Sequence, residues 1–300
     1  MKALVFGGQG SEVAGMGKDL YREFEAYREL YAYAEECTGL PLKEVVFSED
    51  DARIHETMYA QIALYLFDVF MVDQVLELGL DFEVTFGLSL GEYGSLYAAG
   101  VFDKKTGLDV IMHRAKYMSD ACCDDQGMAA ILGLTAEELK PLLDEKTVFL
   151  ANYNTPKQLV ISGLKDAVSS VCEKAKSLGA KRALMLSTSG AFHTPFMDEA
   201  SQLFETYLSG KSFEKPSKKL LCNTSGELLN GEIKEEMVSQ IVSSVYFYQS
   251  IEQAIEMGVD TFIEIGPKSV VKGMIKKVDR KVQVLDSSTL EDLTKLKDLS

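Results

Sequence analysis

Residues 82–91 read Phe-Glu-Val-Thr-Phe-Gly-Leu-Ser-Leu-Gly, and this stretch decides the fold class. Its first five residues are typical of a short strand, and residues 87–91 match the pattern Gly-x-Ser-x-Gly. In that pattern the two glycines let the chain turn sharply between a strand and a helix. The stretch therefore predicts a strand, a tight turn and a helix, with Ser89 exposed at the helix N-terminus, where free N–H groups favour negative charge.

Outside this turn, apolar residues recur at strand and helix spacing along most of the chain. The predicted elements are strands at 3–6, 219–222 and 261–265, and helices at 21–37, 56–78, 106–121, 197–208 and 285–300. A glycine loop, Gly-Gly-Gln-Gly-Ser at 7–11, follows the first strand directly. Strands and helices that alternate in this way predict an α/β fold with a mostly parallel sheet.

Residues 127–186 follow a different pattern. The order there is strand (128–132), helix (136–143), two strands (148–152 and 158–162), helix (167–178) and strand (182–186). This β-α-β-β-α-β order is typical of a ferredoxin-like unit. We therefore predict a large α/β subdomain formed by residues 1–123 and 190–300, with a small ferredoxin-like subdomain inserted at residues 124–189.

The amino-acid composition excludes several classes of protein. Hydrophobic residues make up 46% of the 300 residues and charged residues 26%, which indicates a folded, soluble protein without the long apolar runs of a membrane protein. The apolar run at the N-terminus is too short for a secretion signal, so a cytoplasmic location is expected. A net charge of −15 argues against nucleic-acid binding, and the five cysteines show no metal-site spacing.

A serine needs a base to become a nucleophile, and the chain has only three histidines. His55 follows an acidic run and is predicted at the surface, whereas His113 lies inside a predicted helix. His193 lies in a turn after a strand, in the irregular backbone where catalytic groups are common. The residues therefore point to Ser89 and His193, with a solvated serine in a glycine turn and a structural histidine as the alternatives.

Six short motifs carry a resemblance to a known family. They are Phe-Gly-Gly-Gln-Gly-Ser at 6–11, Gly-Leu-Ser-Leu-Gly-Glu-Tyr at 87–93, His-Arg at 113–114, Gly-Met-Ala-Ala at 127–130, Ala-Phe-His at 191–193 and Glu-Ile-Gly-Pro at 264–267. Together they resemble the malonyl-CoA:acyl carrier protein transacylases of fatty acid and polyketide synthesis. The motifs follow the order and spacing of that family from residue 1 to about residue 277, and six motifs in register are specific. The resemblance implies an α/β-hydrolase-like large subdomain.

The resemblance implies a ping-pong transfer of malonyl from malonyl-CoA to the phosphopantetheine thiol of acyl carrier protein. Ser89, deprotonated by His193, would form a malonyl-serine ester. Backbone N–H groups of Gln9 and Leu90 would hold the oxyanion, and the backbone carbonyl of Tyr246 would orient the histidine. The family implies a monomer that needs no metal or other cofactor.

The same resemblance assigns residues to substrate selection. Arg114 would bind the malonyl carboxylate, Phe192 mildly favours malonyl, and Met128 and Asn154 would line the acyl pocket. From residue type alone, a surface or salt-bridged arginine, a packing phenylalanine, a strand core methionine and an asparagine turn are the alternatives. Leu88 stands where the family usually has histidine, a change that could alter the pocket or slow the reaction.

Three other functions remain open from the sequence. A nucleotide-binding loop at 8–13 lacks the third glycine of the fingerprint and the Lys-Ser/Thr of a phosphate loop. A serine thioesterase or esterase would use the same Ser and His, with Asp144 or Asp166 as the third member of a triad. A non-catalytic carrier-protein binder would be consistent with Leu88. Arg114 distinguishes a malonyl transferase from an esterase, because only a transferase of dicarboxylic acyl groups needs that cation.

Overall fold

The structure is a computed structural model that describes residues 1–297. These residues divide into two compact units. The first consists of Met1–Ala115, Phe213–Leu221 and the chain from Ala254 onward, and the second of Lys116–Ser212 and Cys222–Gln253. The second unit is larger than the predicted insert at 124–189. The boundaries of the predicted ferredoxin-like subdomain stay a prediction. The last three residues of the predicted 190–300 segment lie outside the described residues.

The described strands form two sheets, one in each unit. They are β1 (Lys2–Phe6), β2 (Val84–Gly87), β3 (Gln126–Leu132), β4 (Val148–Thr155), β5 (Gln158–Leu164), β6 (Arg182–Met185), β7 (Lys219–Leu220), β8 (Thr261–Ile265) and β9 (Gln283–Ser287). The sheet of the first unit has the order β7-β2-β1-β8-β9, and every pair in it is parallel. The predicted α/β fold with a parallel sheet is confirmed.

Thirteen α-helices are assigned among residues 1–297. They are α1 (Lys18–Glu23), α2 (Glu25–Thr38), α3 (Leu42–Val46), α4 (Thr57–Glu77), α5 (Gly91–Ala98), α6 (Lys104–Asp120), α7 (Ala136–Leu139), α8 (Lys165–Ser177), α9 (Asp198–Ser209), α10 (Ile233–Val242), α11 (Phe247–Glu256), α12 (Val271–Val278) and α13 (Leu290–Lys297).

The register of the parallel sheet positions two loops side by side. Phe6, the last residue of β1, lies opposite Gly87, the last residue of β2. Both strands are buried beyond Lys2, so their side chains anchor the loops that follow. Because the carboxyl ends of parallel strands meet at one edge of a sheet, the glycine loop after β1 and the turn after β2 leave the sheet together.

The helix α4 is the central helix of the first unit. It is long and apolar enough to cross a membrane, with a mean hydropathy of 1.3, but 83% of that apolar stretch is buried inside the protein. It packs against α2, α3 and α5. A helix that is apolar on every face is expected in the interior of a protein of this size, and its burial explains the composition of α4.

The second unit contains a ferredoxin-like sheet. Its strands are antiparallel in the order β4-β5-β3-β6, and α8 packs on β3, β5 and β6. Ile131, Ile161 and Val171 are buried in the core between the sheet and the helix. The predicted β-α-β-β-α-β order is confirmed, including the short α7, which begins at a capping box formed by Thr135 and Glu138.

Two predicted helices differ from the structure. The helix predicted over 21–37 is divided at Phe24, whose φ of −105° and ψ of 122° are those of an extended residue. The stretch 285–300, predicted as one helix, contributes its first residues to β9 and forms α13 only from Leu290. β9 forms because buried Val282 and Val284 alternate with exposed Gln283, which is the pattern of a strand. Residues 298–300 lie outside the described residues.

One buried carboxyl in α4 gives a pH prediction. Asp68 is 1% exposed, neither of its oxygens has a hydrogen-bond partner among residues 1–297, and burial raises its pKa well above the ordinary value. The folded protein therefore keeps a proton that the unfolded chain releases above about pH 4. As the pH rises from 5 to 8, we expect the free energy of unfolding to fall by up to about 1.4 kcal/mol per unit until Asp68 ionises.

Urea unfolding of the wild type and of Asp68→Asn at several pH values would measure this effect, because the variant should lose that part of the pH dependence. Asp124→Asn, at an exposed aspartate, is the matched control and should keep the wild-type slope. Equal slopes for all three proteins would contradict the prediction.

Candidate active site

Ser89 lies on a tight turn between β2 and α5, as the sequence predicts. Its φ is 53°, in the left-handed region that residues other than glycine seldom adopt. A Cβ on Gly87 would lie 2.2 Å from the Gly91 carbonyl oxygen, and a Cβ on Gly91 would lie 2.4 Å from the Gly7 carbonyl oxygen. Only glycine fits at both positions, and the turn holds Ser89 half-exposed between the buried Leu88 and Leu90.

The glycine loop after β1 packs against this turn. A Cβ on Gly8 would lie 2.3 Å from the carbonyl oxygen of Leu88, so the two backbones are in direct contact. Gln9 follows on the loop and Leu90 follows Ser89 on the turn. Within residues 1–297, neither the Gln9 N–H nor the Leu90 N–H donates to a protein acceptor. The two predicted oxyanion donors therefore lie on adjoining loops of the first unit.

Arg114, on α6, lies beside Ser89. It is 1% exposed, which excludes the alternative of a surface arginine. Its Nη2 donates to Ser89 Oγ at 3.3 Å and its Nη1 donates to Gln61 Oε1 at 2.8 Å. The guanidinium carbon lies 5.0 Å from the centre of the Tyr93 ring. Burial lowers the pKa of Arg114, and an anion beside Ser89 would compensate for the cost of burying its charge.

Gln61 is a site residue that the sequence analysis missed. Besides accepting from Arg114, its amide donates to Gln9 Oε1 at 3.5 Å, and the Gln9 amide donates to Thr57 Oγ1 at 3.5 Å. These side chains connect the glycine loop, α4 and Arg114. A glutamine between the apolar residues Ala60 and Ile62 of α4 was the signal that could have identified it, because buried amides need hydrogen-bond partners.

His193 lies in the second unit, in the turn after β6. It is 5% exposed and has a φ of 60°, so its backbone is held in the left-handed region, as at Ser89. Non-glycine residues in this region are often found at functional sites. His193 Nδ1 lies 2.9 Å from the carbonyl oxygen of Gln240. Since a carbonyl only accepts, Nδ1 carries the proton and Nε2 is left to take one.

The prediction that Tyr246 orients the histidine was wrong. Gln240 lies in the last turn of α10, where carbonyl groups lack partners within the helix and can accept from elsewhere. The Tyr246 carbonyl accepts from the Ser250 N–H at 3.1 Å. The Tyr246 ring stacks on that of Tyr153, with centres 4.7 Å apart and an angle of 12° between the planes.

The other two histidines have different surroundings. His55 is exposed, and its Nδ1 lies 3.0 Å from Glu12 Oε1. His113 is half-buried within α6, and its Nδ1 lies 2.8 Å from the Asp109 carbonyl oxygen. Of the three histidines, only His193 is both buried and placed on a strained turn.

The turn that carries His193 is fastened to the start of β3. Gln126 Oε1 accepts from the Ala191 N–H at 3.0 Å and from the Cys123 N–H at 3.4 Å. The Ala191 carbonyl accepts from Thr194 Oγ1 at 2.6 Å. One glutamine side chain thus binds the backbone two residues before His193, which makes Gln126 a positioning residue for the imidazole.

Gln126→Met tests this role. The change keeps the shape of the side chain but removes the acceptor, and a buried N–H without a partner costs about 1–3 kcal/mol. We expect kcat to fall about tenfold with little change in KM, because the turn that carries His193 would lose its anchor. Gln126→Glu keeps an acceptor and should retain most of the activity. Equal losses of activity in the two variants would contradict the prediction.

The predicted acyl-pocket residues all lie in the second unit. Met128 is on β3, Asn154 on β4 and Phe192 next to His193, and each is at most 7% exposed. Among residues 1–297, no hydrogen-bond partner lies within reach of Asn154 Oδ1. A buried acceptor without a partner suits a ligand donor, but the pocket roles of these residues stay predictions.

A cavity of about 560 Å³ in the second unit reaches His193. Apolar side chains of Phe149, Leu150 and Val242 form part of its wall, and Lys140 is its one basic side chain other than the histidine.

The predicted site residues thus fall into two groups. The first unit brings together Ser89, Leu90, Gln9 and Arg114, and the second unit contains His193, Phe192, Met128, Asn154 and Tyr246. The catalytic pairing of Ser89 with His193 stays a prediction.

Comparisons with known proteins identify the family of this chain. The family model described as acyl transferase domain matches residues 3–295. A malonyl CoA-acyl carrier protein transacylase of Bacillus subtilis is 37% identical over 300 residues, covering 96% of this chain and 95% of that protein. The solved structure of malonyl CoA-acyl carrier protein transacylase from Clostridium perfringens matches with a TM-score of 0.92 and 33% identity, covering 99% of this chain and 96% of that one.

A further solved structure is a type II PKS acyl-carrier protein in complex with its malonyl-transacylase. It matches with a TM-score of 0.94 and 30% identity, covering 100% of this chain and 99% of that one. With full-length similarity of this kind, the chain is an acyltransferase that belongs to the malonyl CoA-acyl carrier protein transacylases, within the acyl transferase domain family.

Proposed function

We propose that this acyltransferase moves a malonyl group from malonyl-CoA to the phosphopantetheine thiol of an acyl carrier protein, for fatty acid or polyketide synthesis. The observation that carries the proposal is the buried guanidinium of Arg114, which donates to Ser89 Oγ. A malonyl group attached to Ser89 has a free carboxylate that this cation can bind, whereas acetyl has none. The names of the relatives support the same substrate.

The first half-reaction forms an ester on Ser89. Ser89 Oγ attacks the thioester carbon of malonyl-CoA while His193 Nε2 takes its proton. The backbone N–H groups of Gln9 and Leu90 stabilise the oxyanion that forms. When the C–S bond breaks, the thiolate of coenzyme A takes the proton from His193 and leaves, and a malonyl-serine ester remains.

The second half-reaction reverses these steps with a different thiol. The phosphopantetheine thiol of the carrier protein gives its proton to His193 and attacks the ester carbon. The same N–H groups hold the second oxyanion, and Ser89 leaves with the proton from His193. No metal or redox cofactor is needed, because each step moves only an acyl group and a proton between oxygen and sulfur.

The proposal also covers the acyl pocket, the inserted subdomain and the location of the protein. Met128, Asn154 and Phe192 would line the acyl pocket, and the cavity beside His193 would accommodate the pantetheine arm. Residues 124–189 would be the inserted ferredoxin-like subdomain. A cytoplasmic location follows from the substrate, because a highly charged CoA thioester does not cross a membrane unaided.

Intact-protein mass spectrometry tests the proposed function. The protein is incubated briefly with malonyl-CoA or with acetyl-CoA, and holo carrier protein is then added. We expect a malonyl adduct that disappears as malonyl carrier protein forms. Apo carrier protein, which lacks the thiol, is the matched control and should leave the adduct in place.

Two other outcomes would favour the alternative functions. Rapid release of coenzyme A without an adduct or transfer would indicate a thioesterase. No adduct and no free coenzyme A from either donor would indicate a non-catalytic carrier-protein binder.

A further inference from the structure

The glycine loop after β1 forms a β-turn whose second residue is Gln9. The turn is closed by a hydrogen bond from the Ser11 N–H to the Gly8 carbonyl oxygen, at 3.1 Å. Gly10, the third residue, has a φ of 98°, which is typical of a type II turn and favours glycine. The Gln9 N–H belongs to the first peptide unit of this turn, the one that joins Gly8 to Gln9.

That peptide unit is held by a second donor. The hydroxyl of Ser11 is buried, with the residue 1% exposed, and donates to the same Gly8 carbonyl oxygen at 2.6 Å. In a planar trans peptide, the C=O of one residue and the N–H of the next point in opposite directions. By holding the Gly8 carbonyl on one side, Ser11 therefore fixes the Gln9 N–H on the other side.

The peptide unit on the other side of Gln9 is also held. Its N–H, that of Gly10, donates to Glu12 Oε2 at 2.6 Å, and Glu12 is 6% exposed. Both peptide units that flank the Gln9 Cα are thus tied to side chains that follow in the sequence. Glycines at positions 8 and 10 offer little steric resistance to rotation of these units, so the side-chain bonds supply the rigidity.

We infer that Ser11 is a positioning residue of the oxyanion hole, because its hydroxyl holds the Gly8–Gln9 peptide with the N–H directed at the reacting oxygen. The inference rests on the proposed function, in which the Gln9 N–H is one of the two oxyanion donors. If the peptide rotated, the Gly8 carbonyl oxygen would replace the N–H and repel the developing negative charge. Ser11 contributes to the reaction through this peptide and does not touch the substrate.

Rapid-mixing measurement of acyl-enzyme formation from malonyl-CoA tests the inference. Removing one oxyanion donor costs about 10²–10³-fold in rate, and Ser11→Ala leaves the Ser11 N–H in place to hold the peptide partly. We therefore expect Ser11→Ala to slow acylation about 10- to 100-fold, with KM and the Kd of coenzyme A unchanged. Ser11→Cys, which keeps a weak donor of similar size, should fall between Ser11→Ala and the wild type.

The chain offers a matched control in Ser217. Its N–H and its hydroxyl both donate to the Ala99 carbonyl oxygen, each at 2.8 Å, which repeats the pair of hydrogen bonds at Ser11 and Gly8, although Ser217 is exposed and Ser11 is buried. Ser217→Ala should acylate at the wild-type rate. A merely structural role for Ser11 would instead lower the melting temperature and raise KM together with the loss of rate.

The outcomes separate this inference from the proposed function. A wild-type rate of acylation in Ser11→Ala would overturn the inference and leave the proposed function intact, as would an equal loss of rate in Ser217→Ala. If Ser11→Ala does not fold, a wild-type rate in Ser11→Cys would overturn it. If the wild type forms no malonyl adduct, the proposed function fails, and the inference fails with it.

Discussion

Ser89→Ala is expected to abolish the malonyl adduct and to lower malonyl transfer by at least about a thousandfold, as loss of the nucleophile does in other serine enzymes. The turn should persist in the variant, because alanine keeps the Cβ and the flanking glycines are unchanged. What disappears is the oxygen that forms the ester. Mass spectrometry of the intact protein after brief exposure to malonyl-CoA measures the adduct, and transfer to holo carrier protein measures the activity.

Ser95→Ala is the control for this experiment. Ser95 is buried six residues further along the chain, and its hydroxyl donates only locally, to the Glu92 carbonyl oxygen at 2.7 Å. This variant should form the adduct at close to the wild-type rate. A malonyl adduct of undiminished yield on Ser89→Ala would show that another residue is the nucleophile.

Arg114→Ala is expected to lower kcat/KM for malonyl-CoA by about 10²–10³-fold, while kcat/KM for acetyl-CoA changes little. Loss of one partner of a buried, hydrogen-bonded charge pair costs about 2–5 kcal/mol, and each 1.4 kcal/mol is a factor of ten. Acetyl has no carboxylate for the guanidinium to bind, so the effect should be specific to malonyl. Steady-state kinetics with the two donors gives the ratio directly.

Two variants test whether the guanidinium of Arg114 itself causes the preference for malonyl-CoA over acetyl-CoA. Arg22→Ala removes the same charge from an exposed position on α1 and should leave the ratio unchanged. Arg114→Lys keeps the charge without the planar fork, so it should recover only part of the preference for malonyl. Equal losses for malonyl-CoA and acetyl-CoA in Arg114→Ala would contradict a carboxylate-binding role.

The Gly-x-Ser-x-Gly turn at residues 87–91 was predictable because its determinants are local. Gly87 and Gly91 are required within a few residues of Ser89, since a Cβ at either position would collide with backbone. The strand before the turn and the helix after it belong to the same stretch of sequence. Short-range requirements of this kind leave a pattern that can be recognised without any knowledge of the tertiary structure.

The partners of the site residues could not be predicted in the same way. Arg114 meets Gln61 across 53 residues, and His193 meets the Gln240 carbonyl across 47. A backbone carbonyl has no side-chain signature, so no residue pattern favours the carbonyl of Gln240 over that of Tyr246. α10, which presents that carbonyl, was not predicted at all. Such contacts depend on tertiary packing rather than on local preference.

The pairing of β1 with β8 has a consequence for the order in which the protein becomes active during synthesis. Lys2 through Phe6 lie beside Thr261 through Ile265, so the strand that carries the glycine loop waits for a partner made more than 250 residues later. Parallel pairing over such a separation forms slowly because a long loop must close first. On the ribosome, the nascent chain would therefore hold β1 and its glycine loop without the neighbouring strand β8, and leave the apolar helix α4 partly uncovered, until translation is nearly finished.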